Sequence, residues 1–200
     1  MRVIFTCGGT AGHVNPALAL AGLMRQRDPD TAVLFVGTPD GMERDLAAKA
    51  GYDYAAVEVD SFRRSMSPEA VRHNLHAVGA LARSGPAARA ILREFRPDLV
   101  ICRAGASTIS ELTALGMPAI MVPSPYVTNN HQEKNARLLE AHGGAEVLLE
   151  SETGGKALYR AAADILRDPG RQARMKQGMA QLGIPDAAER IYETVMALVR

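Results

Sequence analysis

Six short apolar runs alternate along this chain with segments of helical periodicity, and that alternation leaves little choice of architecture. The runs are Val3 to Thr6, Ala32 to Val36, Ala55 to Val59, Leu99 to Cys102, Ala119 to Val122 and Glu146 to Leu149. Strands separated each time by a helix are joined by crossovers. They therefore lie parallel, with both faces of the sheet covered by helices. Six such strands complete one doubly wound, Rossmann-like α/β sheet. The expected order is 3-2-1-4-5-6, which makes the first and fourth strands neighbours at the point where the winding reverses.

The helical segments are punctuated by proline and glycine. Pro16 to Arg27 carries Leu18, Leu20, Leu23 and Met24 on a helical period, and Met42 to Ala50 is closed by Gly51. Pro68 after Ser67 opens a helix through Val71, Leu75, Val78 and Leu81, with a break expected at Gly85-Pro86 and a second piece from Ala87 to Phe95. Ser107 to Leu115 is closed by Gly116, and Asn130 to His142 by Gly143-Gly144. Gly155 to Arg167, Gly170 to Leu182 and a last helix from Pro185-Asp186, burying Ile191, Val195 and Leu198, complete the set. No low-complexity tether interrupts the pattern, so residues 1–200 are expected to form one domain.

Composition narrows the function classes. With 23 basic against 22 acidic side chains among 200 residues, no global field points to nucleic acid. The opening Met1-Arg2-Val3-Ile4-Phe5-Thr6 is too short an apolar run for a signal-peptide core and reads as a first strand. Cys7 and Cys102, each at a strand end, read as reduced thiols of a cytoplasmic protein. No His, Cys, Asp and Glu set has metal-ligand spacing; His73 and His76 stand three apart without supporting ligands.

Two turns carry the chemistry. Cys7-Gly8-Gly9-Thr10-Ala11-Gly12-His13 and Arg103-Ala104-Gly105-Ala106-Ser107-Thr108 each follow a strand and open a helix. A helix start presents unpaired amides and a positive dipole end to an anion such as phosphate. His13 can accept a proton from a sugar hydroxyl or donate to a diphosphate; it can equally cap a helix behind a tight connection. Glu111, one turn beyond Thr108, can take two hydrogen bonds from a ribose diol, or close a capping box with Ser107 or Thr108. Asn129-Asn130-His131-Gln132-Glu133-Lys134-Asn135 opens another helix with groups suited to sugar hydroxyls, or serves as a polar first turn capped by Asn130. Arg63, Arg64, Arg72, His73, His76 and Arg83 could lie on an anionic bilayer surface or on an ordinary solvated helix face.

Taken together, these motifs resemble the MurG family of GT-B glycosyltransferases. The resemblance rests on Gly8-Gly9-Thr10-Ala11-Gly12-His13-Val14-Asn15-Pro16, Arg103-Ala104-Gly105-Ala106-Ser107-Thr108, Ser110-Glu111-Leu112, Pro123-Ser124-Pro125-Tyr126, Asn129-Asn130-His131-Gln132-Glu133-Lys134-Asn135-Ala136 and Gly183-Ile184-Pro185-Asp186. It implies an inverting transfer of N-acetylglucosamine from its uridine-diphosphate donor to a lipid-linked muramyl-pentapeptide. That is a step of peptidoglycan synthesis, placed in the cytoplasm at the inner face of the membrane and needing no cofactor and no bound metal. Gly8, Gly9, Thr10, Gly12 and Asn15 would belong to the acceptor side, with His13 as base or diphosphate contact. Gly105, Ser107, Thr108, Glu111, Gln132 and Asn135 would hold the donor. The family pairs two Rossmann-like domains across a cleft, whereas here 1–97 resembles the first half of the N-terminal domain and 98–200 the last half of the C-terminal one. The expected protein is a hexosyltransferase scaffold whose cleft is incomplete, unless two copies face each other in a homodimer. The alternative is a non-catalytic single domain of recombined halves with weak nucleotide or phosphate binding.

Overall fold

The computed structural model describes residues 1–7, 11–58, 67–151 and 154–184, and positions 186, 187, 190, 193, 194 and 197. Six parallel strands, β1 (Arg2–Thr6), β2 (Ala32–Gly37), β3 (Asp53–Ala56), β4 (Leu99–Cys102), β5 (Ala119–Met121) and β6 (Ala145–Val147), form one sheet in the order β3-β2-β1-β4-β5-β6. This is the expected doubly wound order, with β1 and β4 paired through Val3 with Leu99, Ile4 with Val100 and Phe5 with Ile101.

Among the described residues seven α-helices cover the sheet: α1 (Ala11–Arg27), α2 (Met42–Lys49), α3 (Pro68–Phe95), α4 (Ala106–Ala114), α5 (His131–Ala141), α6 (Gly155–Leu166) and α7 (Pro169–Leu182). Strand pleating sends alternate side chains to opposite faces. Val3, Phe5, Leu99 and Ile101 join Leu20, Met24, Leu158 and Ile165 in a core under α1, α2 and α6. Ile4, Val100 and Cys102 join Leu112, Leu139 and Met179 in a second core under α4, α5 and α7, with Leu92 and Phe95 of α3 packed against it. Phe5 and Phe35, opposite one another in register, stack with centroids 5.2 Å apart. Complete burial of a side chain of this size contributes roughly 1.5–3 kcal/mol. Helix α6, from the second half of the chain, packs on the first helix, α1. The two halves of the chain thus share one core.

Several boundaries depart from expectation, among them β6, which ends at Val147 rather than Leu149. α1 begins at Ala11 rather than Pro16, so the proline lies inside the helix, where burial of Val14, Ala17, Leu20, Ala21 and Met24 offsets its lost amide bond and the crowding of its ring. α3 runs unbroken through Gly85-Pro86 for 28 residues. One lost bond at the exposed Pro86 is offset by packing of Ile91, Leu92 and Phe95 beyond it against the second core. β3 starts two residues early, since Gly51 turns the chain with φ 73° straight into the strand and Val57 N still donates to Gly37 O at 2.8 Å. The last helix, with Ile191, Val195 and Leu198, falls largely outside the described residues, as do Arg63 and Arg64. Among the described residues no helix is long and apolar enough to cross a membrane.

Candidate functional site

Because every strand is parallel, the starts of α1 and α4 both lie at the carboxyl edge of the sheet, after the neighbouring strands β1 and β4. They flank that edge from opposite faces, α1 over the first core and α4 over the second.

On the α4 side, Gly105 is the N-cap, in an extended conformation (φ −72°, ψ 144°), and no side chain caps the helix. The capping box open to Ser107 or Thr108 with Glu111 does not form. A Cβ added at Gly105 would meet nothing nearer than Thr108 Oγ1 at 3.9 Å, so there is open space beside the turn that starts α4. Ser107 is exposed and Thr108 half-buried beside them. Glu111 turns instead to α3, where Arg89 Nε donates to its Oε2 at 2.8 Å. Sequence reading missed this pair because the partners sit on separate helices 22 residues apart.

The loop after β5 brings Gln132 and Asn135 to the same edge. Gln132 Oε1 accepts from Ser124 N at 2.9 Å, tying the start of α5 to the Pro123-Ser124-Pro125 turn. Asn135, one turn further, is half-buried. Asn130 stands at the N-cap as expected but in the left-handed region (φ 50°), and its side chain donates to Glu133 Oε2 at 2.6 Å rather than capping. Asn129 is left-handed too (φ 56°), so two successive residues store strain where the loop meets the helix.

On the α1 side, Gly8, Gly9 and Thr10 lie outside the described residues. Gly12 and His13 belong to the first turn of α1, and Asn15 is exposed on its second. A small crevice of about 80 Å³ is lined by Cys7, Pro16, Arg103, Val122, Glu150 and Leu158. Arg103 Nη1 donates to Val122 O at 3.0 Å and to Glu150 Oε2 at 2.7 Å, bridging the ends of three strands. Glu43, 1% exposed, accepts from Thr38 N and Thr38 Oγ1 at 3.0 and 3.2 Å. Its Oε2 is buried without a hydrogen-bond partner. Burial, reinforced by the Glu43 charge and opposed by Arg103, pushes the Cys7 thiol up to about 12. Burial also raises the Tyr54 hydroxyl, with Glu43 adding to it. Among the described residues no group of three or more His, Cys, Asp or Glu side chains could hold a metal ion.

Residues 3–119 match the glycosyltransferase family 28 N-terminal domain, and residues 92–191 match the glycosyltransferase family 28 C-terminal domain. The chain belongs to glycosyltransferase family 28. Both domain matches fall on one sheet and overlap from the end of α3 to the start of β5.

The resemblance to MurG enzymes holds as well. The UDP-N-acetylglucosamine--N-acetylmuramyl-(pentapeptide) pyrophosphoryl-undecaprenol N-acetylglucosamine transferase 1 of Bacillus anthracis is 52% identical over 103 residues, 52% of this chain and 28% of that relative. The chain thus aligns with little more than a quarter of that relative. The transferase of the same activity from Acetivibrio thermocellus aligns at 24% identity over 368 residues, 100% of this chain and 99% of its own. An alignment of that length holding only 200 residues from this family 28 chain leaves the relative a long internal stretch with no counterpart here. Solved structures share the fold. The S. aureus MnaA-UDP complex superposes with TM-score 0.59 at 15% identity, over 99% of this chain and 46% of that one. The spinosyn rhamnosyltransferase SpnG superposes with TM-score 0.58 at 20% identity, over 96% and 45%.

Proposed function

We propose that this chain is a single-domain family 28 protein that binds a uridine-diphosphate sugar at the start of α4 and, as a monomer, does not complete sugar transfer. One observation carries this reading: matches to both family domains fall on a single six-stranded sheet, which supplies one wall of a cleft rather than two. Transfer needs the acceptor hydroxyl and the anomeric carbon held within near-attack distance, and that positioning supplies much of the rate.

In this account the opening amides of α4, with Ser107 and Thr108, receive the diphosphate at the Gly105 turn. The helix dipole and the hydrogen bonds stabilise its charge. Glu111 accepts the two hydroxyls of the ribose, and Gln132 and Asn135 meet hydroxyls of N-acetylglucosamine. Gln132 does so through its amide nitrogen, since its oxygen is engaged by Ser124 N. Gly8, Gly9, Thr10, Gly12 and Asn15 are the remains of a site for the diphosphate of a lipid-linked acceptor. His13 is there the base that would take the proton of the attacking hydroxyl. Such an acceptor would bring the protein to the inner membrane surface. The domain boundary follows: 1–200 act as one unit, built from 1–97 and 98–200.

Calorimetric titration with UDP-N-acetylglucosamine tests the donor site. Binding is expected, weakened about tenfold or more by Glu111→Gln, because the amide replaces one of the two acceptor oxygens with a donor and removes the charge. Equal affinity in the variant, or no heat in the wild type, would remove it.

A further inference from the structure

We propose that α3 holds Glu111 in the orientation a ribose diol requires, which makes Arg89 and Gly85 the positioning residues of the nucleotide site; this rests on the nucleotide reading given above. A diol is read by two carboxylate oxygens side by side, so the carboxylate must stay in one rotamer while the ligand arrives. Two contacts from α3 do this. Arg89 Nε donates to Oε2 at 2.8 Å, and the bare Cα of Gly85 lets Oε1 lie against the helix, where an added Cβ would come within 3.1 Å. The Glu111 side chain is only 17% exposed as a result. A single Nε donor engages one of the roughly four lone-pair positions on the carboxylate and leaves others for two hydroxyls.

Gly85 and Arg89 are four residues apart on one helix, so they stack on one face a turn apart. That alignment depends on α3 continuing through Pro86, the point at which the sequence alone predicts a break. Both residues lie in the part of the chain matched only by the N-terminal domain, whereas Glu111 lies where the two domain matches overlap. The half that would carry the acceptor therefore sets the geometry of the donor carboxylate.

The test is titration of the full chain with UDP and with 2′,3′-dideoxyuridine diphosphate, in the wild type, Arg89→Ala, Arg89→Lys and Gly85→Ala. Thermal melts verify that each variant is folded. The wild type is expected to prefer UDP about tenfold, the size of a charged hydrogen-bond contribution. Arg89→Ala brings the ratio close to one by weakening UDP alone, and Arg89→Lys recovers part of it. Gly85→Ala is the sharper variant: alanine favours a helix over glycine, so stability is held or raised while the UDP preference falls. An unchanged ratio in Arg89→Ala and Gly85→Ala, equal losses for both nucleotides, or tighter UDP binding in Arg89→Ala would each overturn the role of α3. Failure of the wild type to bind UDP at all would instead remove the nucleotide site, and this inference with it.

Discussion

Cys7 and Cys102 end neighbouring parallel strands and face away from each other. Continuing the register of Phe5 with Ile101 sets Cys7 beside Arg103 and Thr6 beside Cys102. Cys7 packs with the core under α1 and α6, and Cys102 with the core under α4 and α5, where its Sγ lies 3.7 Å from Met121 Sδ. The sheet itself stands between the two sulfurs. Mild oxidation is therefore expected to leave both thiols free, counted by mass after alkylation under denaturing conditions. An intramolecular disulfide in the folded chain would contradict the strand pairing.

The same burial makes stability pH-dependent at the alkaline end. Burial pushes both thiols up to about 12 from 9.0, so below pH 9 each is neutral whether the chain is folded or not. Between about pH 9 and 12 only the unfolded chain releases these protons, and stability falls as pH rises. Urea melts across that range should show the loss, and Cys7→Ala with Cys102→Ala should reduce it, leaving the part due to the raised Tyr54 hydroxyl.

Gly178 fixes the seat of α7. A Cβ there would strike His142 O and lie 2.7 Å from Gly144 N, and both are backbone atoms that cannot swing aside. Gly178→Ala should destabilise by about 2–3 kcal/mol, as overpacking does. Gly155→Ala, with nothing within 4 Å, should be neutral or stabilise by up to about 1 kcal/mol. Chemical denaturation of the two variants side by side checks the contrast.

Glu43 is a buried carboxylate serving the turn after β2. Its removal in Glu43→Ala leaves the Thr38 amide without its acceptor, an expected loss of about 1–3 kcal/mol. Glu43→Gln keeps an acceptor oxygen in place and should lose less. A larger loss in the glutamine variant would show that the charge, not the hydrogen bond, holds the turn.

Arg103 joins β4, β5 and the segment after β6 through one guanidinium nitrogen. Its side chain and that of Glu150 are 25% and 32% exposed, so solvent screens part of the attraction. Arg103→Ala should lower stability by about 1–2 kcal/mol, or roughly 2–8 °C in Tm for a chain of this size.

Much of this fold was legible in the residues because the apolar runs are short, β-rich and separated by clear helix stops. Gly51, Gly116 and Gly143 turn with positive φ just beyond the helices they close. What escaped were features decided by packing between distant segments. The unbroken α3 across Pro86, the Arg89–Glu111 pair and the Arg103–Glu150 bridge each join parts of the chain that no local pattern links. The missing capping box has a local cause: α4 starts at Ala106 with Gly105 as N-cap, so Ser107 and Thr108 lie inside the first turn rather than at the cap, and Glu111 bonds Arg89 instead. At the site, the motif turns were visible in sequence, whereas the placement of the starts of α1 and α4 on opposite faces of one sheet edge emerged only from the three-dimensional arrangement.

The most direct test of the central claim is a transfer assay on the folded chain with UDP-N-acetylglucosamine and a soluble analogue of the lipid-linked muramyl-pentapeptide, read against protein concentration with sedimentation in parallel. Donor binding without product is expected while the chain is monomeric. Sustained turnover by the monomer, linear in protein concentration and abolished by His13→Ala, would contradict it.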